Sequence, residues 1–337
     1  MSIISQYVDK SAEYDSHKAD YSEFVRNLHF DEAARLVIPA QMFGQVPPLT
    51  PTPWAWNQVF SKLGPAVFGK GCNKTLPSDY LLAIPPDLLA ENLNRHIQSA
   101  NGAAWLVRGY DAGARAVVSE GFTTIANTEL LEILDGVVDQ NPTADFRAVR
   151  SSVSPDDLNI RTIWKDTGGG NYGIGVYIGN GEIGNRRLRI YPLIQRHSCE
   201  NSIIIEHDKG IEFVHRGNKI TKMVLVKSVI AELFGVAAEV LEKMIEAESQ
   251  QIPDFADVLG GLAIKYGWDD STRTAVTLGT EGQQTRAGIV NGVTYAAHTV
   301  EKFTPNETAD MEILGGRLLL APENLFRQAV YAVRAQN

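Results

Sequence analysis

The pattern of apolar and polar positions changes character several times along the chain. Residues 1–30 are polar and acidic without a sustained period and read as an arm. Residues 39–53, PAQMFGQVPPLTPTP, are proline-rich and read as a connector without regular structure. A helical period then begins. TPWAWNQVFSKLG predicts a short helix with Thr52 as N-cap, Pro53 at the first position and Gly64 just past the end. PPDLLAENLNRHIQSA predicts a second helix after Pro86, with Leu88, Leu89 and Leu93 on one face and a stop near Asn101-Gly102. AAWLVRGYDAGARAVVSEGFTTI is ambiguous: strand-like at first, then a tight turn, then a candidate short helix. TELLEILDGVVDQ predicts a helix capped by Thr128.

From residue 146 to 217 the period shortens to two. FRAVRSSVS, NIRTIWK, YGIGVYIG, RRLRIYPLI, NSIIIEH and IEFVHRG are short runs broken by Gly, Asn and Asp, the signature of an antiparallel meander. A long helix follows from about Lys219 to Gln250. Val226, Ile230, Leu233, Ala237, Val240 and Met244 form its apolar stripe, and Glu232, Glu239, Glu242 and Glu246 lie largely off it. Too few heptads are sustained for a coiled coil, so packing on the sheet is the favoured reading. Pro253 ends the helix, and 254–268, 285–303 and 321–335 look mostly helical, with no internal repeat. The expected fold is α+β: a central antiparallel β-meander backed by a long helix, with flanking N- and C-terminal helices. The expected organisation is an arm and connector over 1–53, a mostly helical part over 54–145, the meander with its helix over 146–250, and a helical part over 251–337.

Composition narrows the class. The chain has 337 residues, 44% of them hydrophobic, enough for a large core. No apolar run approaches the ~18 residues of a membrane helix, and the polar N-terminus does not read as a signal peptide. Cys72 and Cys199 make no disulfide framework, which fits a reducing cytoplasm. Net charge is −9, yet residues 147–227 carry thirteen Lys/Arg against eight Asp/Glu, a local excess of +5 in an acidic frame. A basic centre of this kind suits an anionic ligand; a chance cluster on a solvated face is the alternative.

Three motifs invite chemistry. GPAVFGKG (Gly64–Gly71) nearly matches the phosphate-binding P-loop, but Gly71 stands where Ser or Thr is needed and a helix precedes it rather than a strand. GNGEIG (Gly179–Gly184) matches the dinucleotide fingerprint, but the strand-like RRLRIYPLI follows where a helix must, so a hairpin turn is expected. RHSCENS places His197 and Cys199 on one side of a strand, within reach of a nucleophile–base pair, but offers no acidic orienter. His207 and His215 bring no recognisable metal spacing. Neither a cofactor nor a metal is implied, and the favoured reading is non-enzymatic, with an enzyme built on Cys199 and His197 as an alternative.

The cations carry more. Arg161, Lys165, Arg186, Arg187, Arg189, Arg196 and Arg216 lie on or beside expected strands, interleaved with Trp164, Tyr172, Tyr177 and Tyr191. Alternation puts Arg187, Arg189 and Tyr191 on one face and Leu188 and Ile190 on the other. A basic sheet with aromatic platforms suits single-stranded nucleic acid, phosphates on the cations and bases on Tyr177 and Tyr191. An ordinary sheet face rich in aromatics for strand propensity is the alternative.

GYDAGARAVVSEGFTTIANTELLEIL, VYIGNGEIGNRRLRIYPLIQRHSCENSIII, VHRG and GIVNGVTYAAHTV, with WNQVFSKLGPAVFGKG ahead of them, resemble the successive blocks of the domain of unknown function 932 family, proteins of phages, plasmids and prophages. The resemblance spans about residues 54–302. It departs at Cys199-Glu200-Asn201-Ser202, where the family tends to Cys-Thr-Asn-Gly. In outline, a meander followed by a long helix is also similar to the Rad52-like annealing proteins. The first family has no settled activity to carry over, and the second likeness is one of fold outline alone. Taken with the basic, aromatic-rich sheet, the expectation is a phage- or plasmid-type DNA-metabolism protein of the host cytoplasm that binds single-stranded DNA, with strand annealing as an extension and a homo-oligomer as its assembly. An oligomeric structural or host-takeover protein without DNA binding is the other open class.

Overall fold

A strand that alternates apolar residues on both sides must be covered on both faces, and the meander is. The structure, a computed structural model, describes residues 4–24, 27–38, 46–68, 83–99, 104–140, 146–167, 171–198 and 201–335, without the side chains of 23, 24, 64–68, 165–167 and 234. The chain opens with α1 (Ser5–Ser16) and β1 (Lys18–Phe24), then β2 (His29–Phe30), β3 (Leu36–Val37), β4 (Thr50–Pro51), α2 (Pro53–Phe68), α3 (Pro86–Ser99), β5 (Ala104–Tyr110), β6 (Gly113–Ser119) and α4 (Asn127–Asp139). The meander comprises β7 (Arg147–Ala148), β8 (Ser152–Val153), β9 (Asp157–Thr167), β10 (Tyr172–Gly181), β11 (Leu188–Arg196), β12 (Asn201–Ile204) and β13 (Ile211–Phe213). Six helices close the chain: α5 (Lys219–Ser249), α6 (Phe255–Tyr266), α7 (Asp270–Gly279), α8 (Arg286–Thr299), α9 (Pro305–Leu319) and α10 (Glu323–Arg334). The fold is α+β.

The meander runs β12-β11-β10-β9-β7, antiparallel throughout, with β13 on β11 and β8 on β9. A bulge at Ile174/Gly175 brings β10 so close to β9 that a Cβ on Gly175 would lie 1.6 Å from the Thr162 carbonyl oxygen. On one face Leu158, Ile160, Val176, Ile178, Leu188 and Ile190 join Val226, Ile230, Leu233 and Ala237 of α5 in the main core. The whole α5 stripe is buried, as its period predicts. Asn218 caps the helix by accepting from the Thr221 N–H.

The opposite face of the meander is covered too. Ile163, Tyr177, Tyr191, Leu193 and Ile204 pack with Ala309 and Ile313 of α9. Thr304 and Glu307 form a capping box that starts α9, with Pro305 in the first turn. Gly316 lets it settle, because a Cβ there would lie 2.1 Å from the Ile204 carbonyl oxygen.

The N-terminal half builds a second core on the sheet β1-β5-β6-β4. Phe30, Trp56 and Phe60 stack in sequence at 5.3 Å ring separations, with Leu36, Leu49, Val59, Leu63 and Leu93 around them. Several expectations are corrected here. The polar arm forms α1 and β1, with Ile4 in the main core and Ser11 and Asp15 both accepting from the Thr128 hydroxyl. Thr128 is thus inside α4, whose N-cap is Ala126. The connector includes β4, which pairs parallel with β6; its residues 39–45 lie outside the described set. Thr52 accepts from the Ala55 N–H as expected, but α2 continues through Gly64 and Pro65 to Phe68. On α3 the buried face is Leu89, Ala90, Leu93 and Ile97, and Leu88 points outward. The ambiguous segment is a hairpin, β5–β6, with a register shift at Arg108/Gly109. No described helix is long and apolar enough to cross a membrane.

Candidate anion-binding cleft

The basic side chains fall into two sets that share Arg186. Across β9, β10 and β11, Arg161, Tyr177 and Tyr191 occupy one row on the face under α9. Arg161 is buried and donates through Nε to Glu312 Oε2 at 2.7 Å and through Nη1 to the Arg150 carbonyl at 3.0 Å. Glu312 is fully buried and also faces His298 Nε2 at 3.0 Å. Burial works to raise the Glu312 carboxyl, but Arg161 and His298 hold it below the usual carboxylate range. Tyr177 lies under the Arg161 guanidinium and donates its hydroxyl to Asn159 Oδ1 at 2.9 Å. Arg186 reaches Asp310 at 2.6 Å and Asn306 at 2.8 Å, and Arg189 reaches the same Asp310 at 2.9 Å.

The expectation that Tyr177 and Tyr191 stack bases is therefore corrected. Both rings are buried, and Tyr191 spends its hydroxyl on Glu212 Oε2 at 2.9 Å. Burial pushes both phenols above the ordinary tyrosine range, Tyr191 further helped by Glu212. Arg161 is likewise inaccessible to a phosphate. Trp164 and Tyr172 are buried on the α5 side. Arg196 lies 3.5 Å from Glu281. Lys165 is on β9, but its side chain lies outside the described set. The missing signal was α9: Asp310 and Glu312 stand 124 and 151 residues away from the arginines they neutralise.

The second set opens on solvent. Between α2 and β6 on one side and the β10–β11 turn and the loop after β13 on the other lies a cleft of about 600 Å³. Its cations are Lys62, Arg186, Arg187 and Arg216, and no described carboxylate lines it. Arg187 is 59% exposed and pairs with Glu212 at 2.6 Å. Lys62 and Arg216 have no ion-pair partner among the described residues. Burial, then the neighbouring Arg216, holds the Lys62 ammonium below the usual lysine range. Trp54 and Phe122 supply rings. The Phe122 ring stacks on His215 at 5.0 Å between centroids, and Trp54 is 36% exposed.

His215 has a defined state. Its Nδ1 lies 3.1 Å from the Thr123 carbonyl oxygen, so Nδ1 carries the proton, and Nε2 is buried with no partner. Burial pushes its pKa down; the Thr123 carbonyl pulls it up, and Lys222 and Arg108 push it down. An anion in the cleft would reverse that balance.

The walls are fixed to each other. Trp54 Nε1 and Gln58 Nε2 both donate to the Ile183 carbonyl at 3.1 Å. Next to it the buried Glu182 carboxylate gathers Lys18 at 2.9 Å, Arg115 at 3.0 Å and the Asn127 N–H at 2.6 Å. GNGEIG is thus a structural turn, with Gly184 at φ +77°, and it opens no helix. Sequence reasoning passed over Trp54, Gln58 and Lys62. Their four-residue spacing on the polar side of α2, opposite Ala55, Val59, Phe60 and Leu63, was the available signal.

At the RHSCENS segment, both His197 ring nitrogens lie 3.3 Å from Arg147 Nη2, and Cys199 is outside the described residues, as is Cys72. Among the described residues no group of three His, Cys, Asp or Glu is placed to hold a metal. No family model matches the chain, and no curated protein or solved structure matches it.

Proposed function

We propose that the protein binds single-stranded DNA and that the cleft at Lys62, Arg187 and Arg216 holds its phosphates. The observation that carries this reading is a cleft of ligand size lined by four cations and no described carboxylate. Two of those cations have no counter-charge among the described residues, so an anion would neutralise charge that the fold leaves open. Trp54 and the Phe122–His215 pair are the ring surfaces available to a base, a sequence-tolerant arrangement. The binding is non-covalent. Together with the resemblance to the domain of unknown function 932 family, it supports reading the protein as a phage- or plasmid-type DNA-metabolism factor acting in the bacterial cytoplasm, with strand annealing as the activity to assay.

The test is fluorescence anisotropy of a labelled oligonucleotide across a salt series. Replacing Lys62 and Arg216 together by Ala should weaken binding for all sequences alike. The salt slope should shrink by about 0.7 for each phosphate that is no longer neutralised. Trp54→Ala should weaken binding by ~1–3 kcal/mol if a base stacks there. A folded double variant with wild-type affinity and slope sinks the cleft as the binding site. Absence of wild-type binding at low salt removes the nucleic-acid reading altogether.

A further inference from the structure

The positive charge of the cleft is not all available to a ligand. Arg186 is committed to Asp310 at 2.6 Å and to Asn306 at 2.8 Å. Arg187 is matched by Glu212 at 2.6 Å. Cations around the cleft are spent as well: Arg108 on Asp20 and Glu182, Arg189 on Asp310, and Lys222 on the carbonyls of Val214 and Arg216. Of the cleft's cations, Lys62 and Arg216 are the two without a counter-charge among the described residues. They are neighbours: burial first, and then the Arg216 charge, disfavours the Lys62 ammonium. Both are also held in place. Around Arg216, its own N–H donates to the Val214 carbonyl at 2.8 Å, Lys222 reaches the Arg216 carbonyl, and the Thr123 hydroxyl donates to the Gly217 carbonyl at 2.7 Å. On the other wall, Trp54 and Gln58 fasten α2, and with it Lys62, to the Ile183 carbonyl. The fold thus holds two like charges side by side and leaves them unmatched.

Resting on the reading of this cleft as a phosphate site, we propose that it takes a phosphomonoester dianion: the terminal phosphate of a DNA strand or that of a free nucleoside monophosphate. The balance of open charge carries this. Two adjacent unmatched cations suit one group of charge about −2, which a phosphomonoester approaches at neutral pH because its second pKa is about 6. An internal phosphodiester brings one charge per phosphate, so a strand laid through the site needs its cations spaced along a track. Among the described residues no such track leaves the cleft, because the neighbouring cations are those already spent. The net charge of −9 agrees, since an acidic protein disfavours wrapping a long polyanion whereas one dianion needs only local charge. The Arg216 guanidinium offers a fork for two phosphate oxygens, and the Lys62 ammonium a point charge for a third. The cleft volume of about 600 Å³ accommodates a nucleotide, and Trp54 and Phe122 in its lining give the attached base a surface on which to stack without being read.

The test has two arms, both on the full chain at pH ~7.5. In the first, fluorescence anisotropy compares one internally labelled single-stranded oligonucleotide carrying a 5′-phosphate, a 3′-phosphate or hydroxyls at both ends. One phosphorylated form should bind at least about tenfold tighter than the hydroxyl form, the effect of one charge-assisted contact. Replacing Lys62 and Arg216 together by Ala should remove that preference while circular dichroism stays that of the wild type. In the second arm, isothermal titration calorimetry compares thymidine monophosphate with its methyl ester, which keeps the base and sugar but carries a single charge. The ester should bind at least about tenfold more weakly. Equal affinity across the three oligonucleotides, with no preference for the monophosphate over its ester, overturns the inference and leaves single-strand binding standing. A preference that survives the double variant overturns it as well. A preference shown by the monophosphate alone upholds the inference with the free nucleotide as the source. If no oligonucleotide binds in that case, the single-strand reading falls by itself.

Discussion

The two faces on which this protein carries its positive charge have opposite fates. Under α9, the guanidinium groups of Arg161, Arg186 and Arg189 meet Glu312 and Asp310. In the cleft, Arg216 is exposed and Lys62 half-buried, and neither meets a carboxylate among the described residues. Apart from Lys62 on α2, both sets come from the basic, aromatic-rich segment 147–227, and a count of charges cannot separate them. What separates them is whether a carboxylate arrives from elsewhere in the chain. A buried cation next to a tyrosine is a packing device when its counter-charge is supplied, and an exposed one is a ligand-facing group when it is not.

That contrast can be broken first at its strongest point. Glu312→Gln leaves Arg161 charged in a sealed site, and the expected loss is about 3–5 kcal/mol in chemical denaturation. Replacing the pair together, Arg161→Met with Glu312→Leu, should cost far less, since no uncompensated charge remains. A loss below about 1 kcal/mol for Glu312→Gln alone would mean that the α9 face admits water. In the cleft the same logic runs the other way. The Lys62→Ala, Arg216→Ala double variant should unfold within about 0.5 kcal/mol of the wild type while losing oligonucleotide affinity. If stability falls and binding does not, the roles of the two faces are exchanged.

Tyr177→Phe sharpens the contrast at smaller cost. It deletes the hydroxyl bonded to Asn159 and should destabilise by about 1 kcal/mol. It should leave nucleic-acid binding untouched, and weaker binding in a stable Tyr177→Phe protein would put that ring back among the groups that touch the ligand. The smallest effect concerns pH. His215 has its pKa depressed in the folded state, so below the ordinary histidine value of about 6.5 the unfolded chain takes up a proton that the folded one resists. Stability should therefore fall as pH drops through that region. Anion binding favours the protonated ring, so affinity should rise over the same interval. His215→Gln should flatten both slopes; a pH-independent wild type in denaturation and binding titrations alike would remove His215 from the account.

The parts of this architecture that repeat over a few residues were legible. The stripe Val226–Ile230–Leu233–Ala237–Val240–Met244 places α5 on the sheet through its period alone, and the Leu188/Ile190 against Arg189/Tyr191 alternation assigns faces correctly. The parts decided by long-range partners were not. Nothing near Arg161 announces Glu312, and nothing near Tyr191 announces that α9 will cover it. The N-terminal arm hid its order differently. Its ties are spread and partly polar: Ile4 is buried with Tyr7, Val8 and Tyr14 packed beside it, Thr128 bonds to Ser11 and Asp15, and β1 pairs with β5 along its length. Those apolar positions are sparse among polar ones, so a hydrophobic period registers weakly there. The cleft falls in between, since Arg186, Arg187 and Arg216 were marked by composition but Lys62 joined them only through folding.

The separation of Arg161 from Glu312 also has a consequence during synthesis. The 151 residues between them take on the order of ten seconds to emerge from a ribosome. Throughout that interval the nascent meander displays Arg161 and Arg186 without their carboxylates, Arg189 with Glu212 alone, and two tyrosine rings on an unprotected sheet. The newborn chain is thus briefly a different surface from the finished one, attractive to RNA and to other nascent strands. The arrival of α9 ends that window, so a truncation before residue 305 should yield a chain that aggregates or copurifies with nucleic acid.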